Sequence, residues 1–208
     1  MNNLESGNSV RIIRQYNSKE EFAIVMELCD GNLEEKLNKT SNGFGVDQIK
    51  YILKQLNNAF IIMVYNKIIH RDIKLKNILV KNGCFINDYT VKLCDYGVGR
   101  QLETLSKQNL TISGTIDTMA PEIMEEKPYD NKCDLWSLGV IIYQLCFKQY
   151  PYNGNTSYDL MKQINQLKQN HFKKTNDENL NALIRDLLKP NPEERITWDQ
   201  YFNHPFFK

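Results

Sequence analysis

Hydrophobic positions near the start of the chain form two short runs divided by charge. Residues 10–16 and 22–27 are mainly apolar, and the charged segment 18–21 separates them. Two strand-like runs joined by a short polar turn predict a β-hairpin. A short helix is expected next, after Asp30-Gly31, with Leu33 and Leu37 on its apolar side.

Helical periodicity dominates the rest of the chain. Residues 46–65 predict a long, largely buried helix, because apolar side chains return every three or four positions. These positions are Ile49, Leu53, Leu56, Phe60 and Met63. Residues 133–147 are apolar over a length that favours a second buried helix over a strand. Residues 158–167 and 180–188 predict two more helices, and the prolines at 190 and 192 end the last one.

Short apolar stretches between the helices predict small strands. They occupy residues 68–69, 78–80 and 91–94, and we expect a turn at 81–83 between the last two. Residues 101–118 are polar and rich in serine and threonine, which predicts a long loop. Long loops in compact domains are often functional.

Composition narrows the class of protein. A chain of 208 residues is long enough for one sizeable core, or for two small lobes that share one. The net charge of +1 provides no field for nucleic acid, and no apolar run has membrane-spanning length. The five cysteines are odd in number and lack C-x-x-C spacing, which argues against zinc or disulfides. We therefore expect a cytoplasmic protein, with a nuclear location also open, and neither nucleic acid nor membrane as a partner.

The most informative segment is His-Arg-Asp-Ile-Lys-Leu-Lys-Asn at residues 70–77. It is either a plain polar loop between helix and strand or a loop that transfers phosphoryl groups. In the second interpretation, the Asp72 carboxylate accepts a hydroxyl proton and Lys74 stabilises the moving phosphoryl group. Asn77 then offers a neutral oxygen to a hard cation such as magnesium.

A second carboxylate follows the strand predicted at residues 91–94. Asp95-Tyr96-Gly97 taken alone would be an ordinary turn. Its distance from Asn77 along the chain is right for a strand–turn–strand hairpin. Such a hairpin would bring Asn77 and Asp95 close together, so that both could hold magnesium.

Taken in order, these segments resemble the motifs of eukaryotic-type serine/threonine protein kinases. Residues 70–77 are similar to the H-R-D-x-K-x-x-N loop, and residues 95–97 to D-F-G. Four later segments resemble the A-P-E triplet, the D-x-W-S-L-G helix, the arginine that pairs with the A-P-E glutamate, and the domain ending. They are residues 120–122, residues 134–139, Arg195 and residues 204–207.

The resemblance runs from about residue 10 to residue 207. It implies an α+β, two-lobed, protein-kinase-like fold, with a truncated small β lobe followed by a mainly α-helical large lobe. Residues 1–208 would form one kinase domain. Within it, residues 1–29 would be a remnant of the small lobe with the hinge, and residues 30–208 the large lobe.

The resemblance also implies roles in catalysis. Asp72 would be the catalytic base, and Asn77 and Asp95 would hold Mg²⁺. Lys74 would stabilise the transferred phosphate. Lys74 and Thr115 together would indicate that the protein substrate is phosphorylated on serine or threonine rather than on tyrosine.

ATP would be the second cofactor, bound at the hinge between the lobes. Met26 resembles the gatekeeper residue at the end of the second strand. Glu27 and Cys29 would present backbone groups to adenine, and Leu79 would form the apolar floor beneath it.

The resemblance further suggests regulation by an upstream activating kinase. Arg71 and Arg100 stand where kinases grip a phosphate on the activation loop, and Thr111 stands where that phosphate is carried. The alternative is that both arginines form ordinary surface pairs and that Thr111 is an unremarkable loop residue.

One part of the family pattern is missing ahead of residue 10. Members of the family carry a Gly-rich loop, a strand lysine and a helix glutamate in that part of the chain. The missing part amounts to about fifty residues. Weak ATP binding is therefore expected, and a catalytically weak or inactive truncated kinase that acts as a protein-binding module is the alternative function. A small-molecule phosphotransferase is a third possibility, against which Ala120-Pro121-Glu122 argues.

Overall fold

The computed structural model describes residues 6–18, 22–84, 88–96, 100–101, 116–154, 156–166 and 172–208. Within these ranges a small β-rich region is followed by mainly helical segments. This order confirms the predicted α+β, kinase-like architecture. The division into residues 1–29 and 30–208 remains a prediction.

The first strands form a sheet of their own. β1 (Ile12–Asn17) and β2 (Phe22–Met26) are antiparallel, with Ile12 opposite Met26 and Asn17 opposite Phe22. The register shifts once between Ile12 and Arg14. The predicted hairpin is therefore confirmed, and every residue of β1 is exposed.

A second sheet lies next to the predicted catalytic loop at residues 70–77. Its strand order is β3 (Gly31–Asn32), β5 (Ile78–Asn82) and β6 (Tyr89–Leu93), all antiparallel. Two further short strands, β4 (Ile68–Ile69) and β7 (Arg100–Gln101), pair with each other.

The turn expected at residues 81–83 is wrong. Lys81 and Asn82 belong to β5, because the ladder continues through their partners Thr90 and Tyr89. The connection starts only at Gly83, whose N–H donates to the Asp88 carbonyl at 2.8 Å. Pairing with β6 therefore outweighed the turn preference of residues 81 and 82.

Seven α-helices follow or flank these strands in the described residues. They are α1 (Leu33–Asn38), α2 (Val46–Tyr65), α3 (Pro121–Met124), α4 (Lys132–Phe147), α5 (Ser157–Gln166), α6 (Glu178–Leu187) and α7 (Trp198–Phe202). α2 has the predicted bounds, and α4 begins one residue earlier than expected. Within the described ranges, no helix is both long and apolar enough to cross a bilayer.

Helix α4 is the centre of the molecule. It is buried on all sides, because apolar residues surround its whole circumference rather than one stripe. Gly139 allows α6 to approach closely, since a Cβ at this position would lie 2.8 Å from the Leu187 Cβ. α4 ends at Phe147, and its C-cap residue Lys148 takes a left-handed conformation with φ of 53°.

Candidate active site

The loop at residues 70–77 is fixed from below by α4. Asp134, in the first turn of that helix, accepts the His70 N–H on Oδ2 and the Arg71 N–H on Oδ1, both at 2.8 Å. Burial raises the pKa of Asp134, whereas these two hydrogen bonds favour its charged form. The bonds also hold Arg71 at a φ of 68°, a conformation that side chains disfavour.

Three of the predicted catalytic residues meet at one carboxylate. Lys74 Nζ lies 2.7 Å from Asp72 Oδ2, and Asn77 Nδ2 donates to the same oxygen at 3.0 Å. Asn77 Nδ2 also donates to the Asp72 carbonyl at 2.9 Å. The carboxylate is buried and charge-paired, so its orientation is defined before any ligand arrives.

The His70 ring joins the Asp72 backbone to the residue that follows β6. Its Nδ1 accepts the Asp72 N–H at 3.3 Å, so the ring hydrogen lies on Nε2, which donates to the Cys94 carbonyl at 2.9 Å. Sequence reasoning treated His70 only as the first letter of a motif. The position of His70 in the motif at residues 70–77 was the sequence signal that could have pointed to this bridging role.

Asp95 lies at the same edge as Asn77. The Cys94 N–H donates to the Asn77 carbonyl at 2.9 Å, which continues the β5–β6 ladder by one step beyond Ile78 and Leu93. Asp95 follows directly, with an exposed side chain and a φ of 64°. The backbone of Asp95 therefore follows directly after the residue that pairs with Asn77.

The aromatic residue after Asp95 packs towards the same loop. The Tyr96 ring centroid lies 5.2 Å from that of His70, and the side chain borders the hydrophobic core. Burial raises the pKa of Tyr96 to about 12, so its hydroxyl stays neutral under ordinary conditions.

Glu27 carries an ion cluster that the sequence did not reveal. Its carboxylate lies 2.8 Å from Lys92 Nζ and 3.5 Å from Lys81 Nζ, and it accepts the Arg11 N–H at 2.9 Å. Burial alone would raise the pKa of Glu27. The hydrogen bonds from Lys92, the Arg11 N–H and Lys81, together with the charge of Lys92, outweigh burial and lower this pKa to about 2. The side chain therefore ties the hairpin to β5 and β6.

The residues predicted around adenine lie beside this cluster. Leu79 is half-buried and points away from the core, on the β5 face shared with its partner Lys92. Met26 is 45% exposed at the end of β2, and Cys29 is half-buried in the segment that follows. Each of these three side chains is therefore at least partly open to solvent.

The end of the predicted activation segment is held by a buried ion pair. The Arg195 guanidinium meets Glu122 at 2.7 and 3.0 Å, and the two side chains are 0% and 3% exposed. Its other N–H groups donate to the carbonyls of Lys132, Lys189 and Pro190, so all five donors are used. The pairing that the resemblance implied is present.

The predicted regulatory residues are only partly described. Thr111 and Thr115 lie outside the described residues, as does the side chain of Arg100, whose backbone pairs with Ile69 in the β4–β7 ladder. Arg71 is buried, and its guanidinium donates to the Tyr129 hydroxyl at 3.3 Å. The grouping of these three regulatory candidates therefore stays a prediction.

Comparison with known proteins gives a family. A family model described as a protein kinase domain matches residues 1–207. The serine/threonine-protein kinase TIO of Arabidopsis thaliana is 36% identical over 207 residues, 99% of this chain and 15% of the relative. ATG1c of the same plant is 34% identical over 202 residues, 96% of this chain and 27% of the relative.

A human relative gives the same result. The serine/threonine-protein kinase Nek5 of Homo sapiens is 35% identical over 214 residues, 99% of this chain and 29% of the relative. The chain thus spans between 15% and 29% of the length of these three relatives. Since the family model matches nearly every residue, the chain belongs to the protein kinase family.

Proposed function

We propose that the chain transfers the γ-phosphoryl group of ATP to serine and threonine hydroxyls of proteins. The observation that carries this proposal is the Asp72 carboxylate, held 2.7 Å from Lys74 Nζ and 3.0 Å from Asn77 Nδ2. The relatives described as serine/threonine-protein kinases support the substrate class.

Asp72 is the residue that would receive the proton of the substrate hydroxyl. Its backbone N–H is fixed by His70, and its carboxylate is fixed by Lys74 and Asn77. A base held in this way needs little reorganisation when the substrate arrives. Lys74 is 26% exposed at its side chain, so its ammonium is placed to meet the transferred phosphoryl group as well.

Asn77 and Asp95 suit Mg²⁺, which favours oxygen ligands and usually takes only one or two carboxylates from a protein. The described residues contain no cluster of three His, Cys, Asp or Glu side chains that would bind a metal by themselves. Asn77 directs its amide nitrogen at Asp72, so its amide oxygen is the atom for the cation. When bound, Mg²⁺ supplies positive charge against the phosphates of ATP.

The hinge would recognise adenine through backbone groups. The Glu27 N–H already donates to the Arg11 carbonyl at 3.0 Å, so the Glu27 carbonyl and the Cys29 backbone are the groups we assign to the base. Leu79 would form the apolar floor beneath adenine, and Met26 would be the gatekeeper residue at the end of β2. We further propose that a phosphate placed on Thr111 by an upstream kinase is bound by Arg71 and Arg100. Thr115, together with Lys74, would favour serine and threonine over tyrosine as the substrate residue.

The proposal is tested by phosphate transfer from labelled ATP to serine- and threonine-containing peptides in the presence of Mg²⁺. We expect Asp72→Asn to lower the rate by about 10²–10⁴-fold, the usual contribution of a general base. Asp47→Asn is the matched control, because Asp47 is an exposed aspartate in the first turn of α2. Its rate should equal that of the wild type.

Two results would contradict the proposal. Equal rates for Asp72→Asn and the wild type would show that Asp72 is not the base. ATP binding without any transfer would favour the alternative function, a protein-binding module, to which the exposed apolar residues of the hairpin are suited.

A further inference from the structure

Two hydroxyl groups meet next to the predicted metal ligand Asp95. Tyr96 Oη lies 3.0 Å from Ser9 Oγ, and either atom can donate in this hydrogen bond. Ser9 is buried and stands 87 residues before Tyr96 in the chain. The contact therefore joins the segment before the hairpin to the residue that follows Asp95.

Ser9 is a rigid anchor because its neighbours extend the edge of β6. The Val10 N–H donates to the Leu93 carbonyl at 2.9 Å, and the Leu93 N–H donates to the Asn8 carbonyl at 2.8 Å. Ser9 itself forms a parallel bridge with Leu93. Residues 8–10 thus behave as a short extra strand beside the last residue of β6.

The side chain of Asn8 attaches this extra strand to α2. Its Nδ2 donates to the Val91 carbonyl at 2.8 Å and to Gln55 Oε1 at 3.3 Å, and its Oδ1 accepts from Asn58 Nδ2 at 2.9 Å. Asn8 is buried, and satisfied buried polar groups of this kind define one arrangement of the backbone. The position of Ser9 is therefore set by the helical body.

Asp95 is held by its neighbours on both sides. On one side, the Cys94 carbonyl accepts from His70 Nε2 and the Cys94 N–H donates to Asn77. On the other side, the Tyr96 hydroxyl is attached to Ser9. Asp95 between them has the disfavoured φ of 64°, which persists only when surrounding contacts impose it.

We propose that the Ser9–Tyr96 hydroxyl pair positions Asp95 for binding of Mg²⁺. The inference rests on the proposed function and adds two positioning residues to it, one of them outside every motif. A phenylalanine at position 96 would keep the ring contact with His70 and lose only the tether. The hydroxyl and the ring therefore have separable effects.

The first test is the Mg²⁺ dependence of phosphate transfer in the wild type, Tyr96→Phe, Ser9→Ala and the double variant. Each single change should raise the Mg²⁺ concentration for half-maximal rate by about three- to tenfold, the value of one hydrogen bond, and leave the rate at saturating Mg²⁺ unchanged. Ser9→Ala also removes the contact of Ser9 Oγ with Ser6 Oγ at 3.0 Å, so Tyr96→Phe is the cleaner single change. The double variant should match the singles, because the bond to Tyr96 is the one that both changes remove.

Tyr51→Phe is the matched control, because the Tyr51 hydroxyl also donates a hydrogen bond, to the Tyr89 carbonyl at 3.0 Å. Its Mg²⁺ dependence should equal that of the wild type. An unchanged Mg²⁺ dependence in Tyr96→Phe, or additive effects of the two single changes, would overturn the proposal.

A second readout separates this proposal from the proposed function. Amide hydrogen exchange in a peptide covering residues 93–96 should be faster in Tyr96→Phe and Ser9→Ala than in the wild type, at equal melting temperature. If the wild type transfers no phosphate, the proposed function fails, and exchange alone decides the role of the pair. Exchange equal to the wild type in both variants would overturn it.

Discussion

The hairpin and the helical body are stabilised in opposite ways. Ile13 of β1 is 57% exposed, and Ile12, Ile24 and Val25 are also exposed, whereas Ile49 of α2 is completely buried. The hairpin depends on backbone pairing and on the polar cluster at Glu27, while the body depends on apolar burial. The predicted catalytic residues Asp72 and Asn77 belong to the body, so their geometry should survive changes that disturb the hairpin.

The largest expected loss of stability in the helical body comes from breaking the buried ion pair at the end of the predicted activation segment. Glu122→Ala should lower the free energy of unfolding by about 3–5 kcal/mol, because it leaves Arg195 buried without its carboxylate partner. Urea unfolding followed by circular dichroism measures this loss.

A nearby glutamate provides the control for that measurement. Glu125 pairs with Lys127 at 2.7 Å, and both side chains are solvent-accessible. Glu125→Ala should therefore cost about 0–1 kcal/mol. Equal losses for the two substitutions would mean that the buried pair is not a special support of the body.

A smaller effect is expected where α4 and α6 touch. Gly139→Ala should destabilise the body by about 1–3 kcal/mol, since the new methyl group would lie 2.8 Å from Leu187 Cβ and 2.9 Å from Leu188 Cδ2. Gly45→Ala is the control, because nothing lies within 4 Å of a Cβ there. A thermal melt compares the two, and a stabilised Gly139→Ala would contradict this account of helix packing.

The smallest expected effect is a loss of hairpin stability when the pH is lowered and Glu27 becomes protonated. The pKa of Glu27 is lowered from 4.5 to about 2, so the charged carboxylate stabilises the folded hairpin above pH 4.5. That stabilisation, on the order of 1 kcal/mol, is lost as the pH falls from about 4.5 to about 2. Glu27→Gln should lack this transition in the NMR shifts of the hairpin amides.

The exposed pair of Glu34 with Lys76, at 3.6 Å, supplies the control for acidification. Glu34→Gln should retain the transition of the wild type. A Glu27→Gln chain that titrates like the wild type would show that other groups attach the hairpin to the body.

The hydrophobic periodicity of the sequence was enough to predict the helices whose apolar residues are buried. The α2 and α4 segments have long helical patterns, and their observed bounds agree with the prediction to within one residue. The turn at 81–83 was predicted wrongly, because cross-strand pairing of Lys81 and Asn82 outweighed local turn preference. Local residue preference says little about such long-range pairing.

The site was predictable only for residues that belong to spaced motifs. Asp72, Lys74 and Asn77 lie within one octet, and the short spacing itself brings them together. The cluster of Glu27 with Lys81 and Lys92 joins residues 54 and 65 positions apart, and the Ser9–Tyr96 contact joins residues 87 apart. Such partners follow from the packing of separate elements, which no local pattern specifies.

The Glu122–Arg195 pair also constrains how the chain is made. Its two members are separated by 73 residues, and Arg195 is synthesised second. At ribosomal rates of about 5–20 residues per second, Glu122 waits roughly 4–15 seconds for its partner. During that interval α3 can form, yet its acid must remain in water. The end of the predicted activation segment therefore docks only after Arg195 has been synthesised.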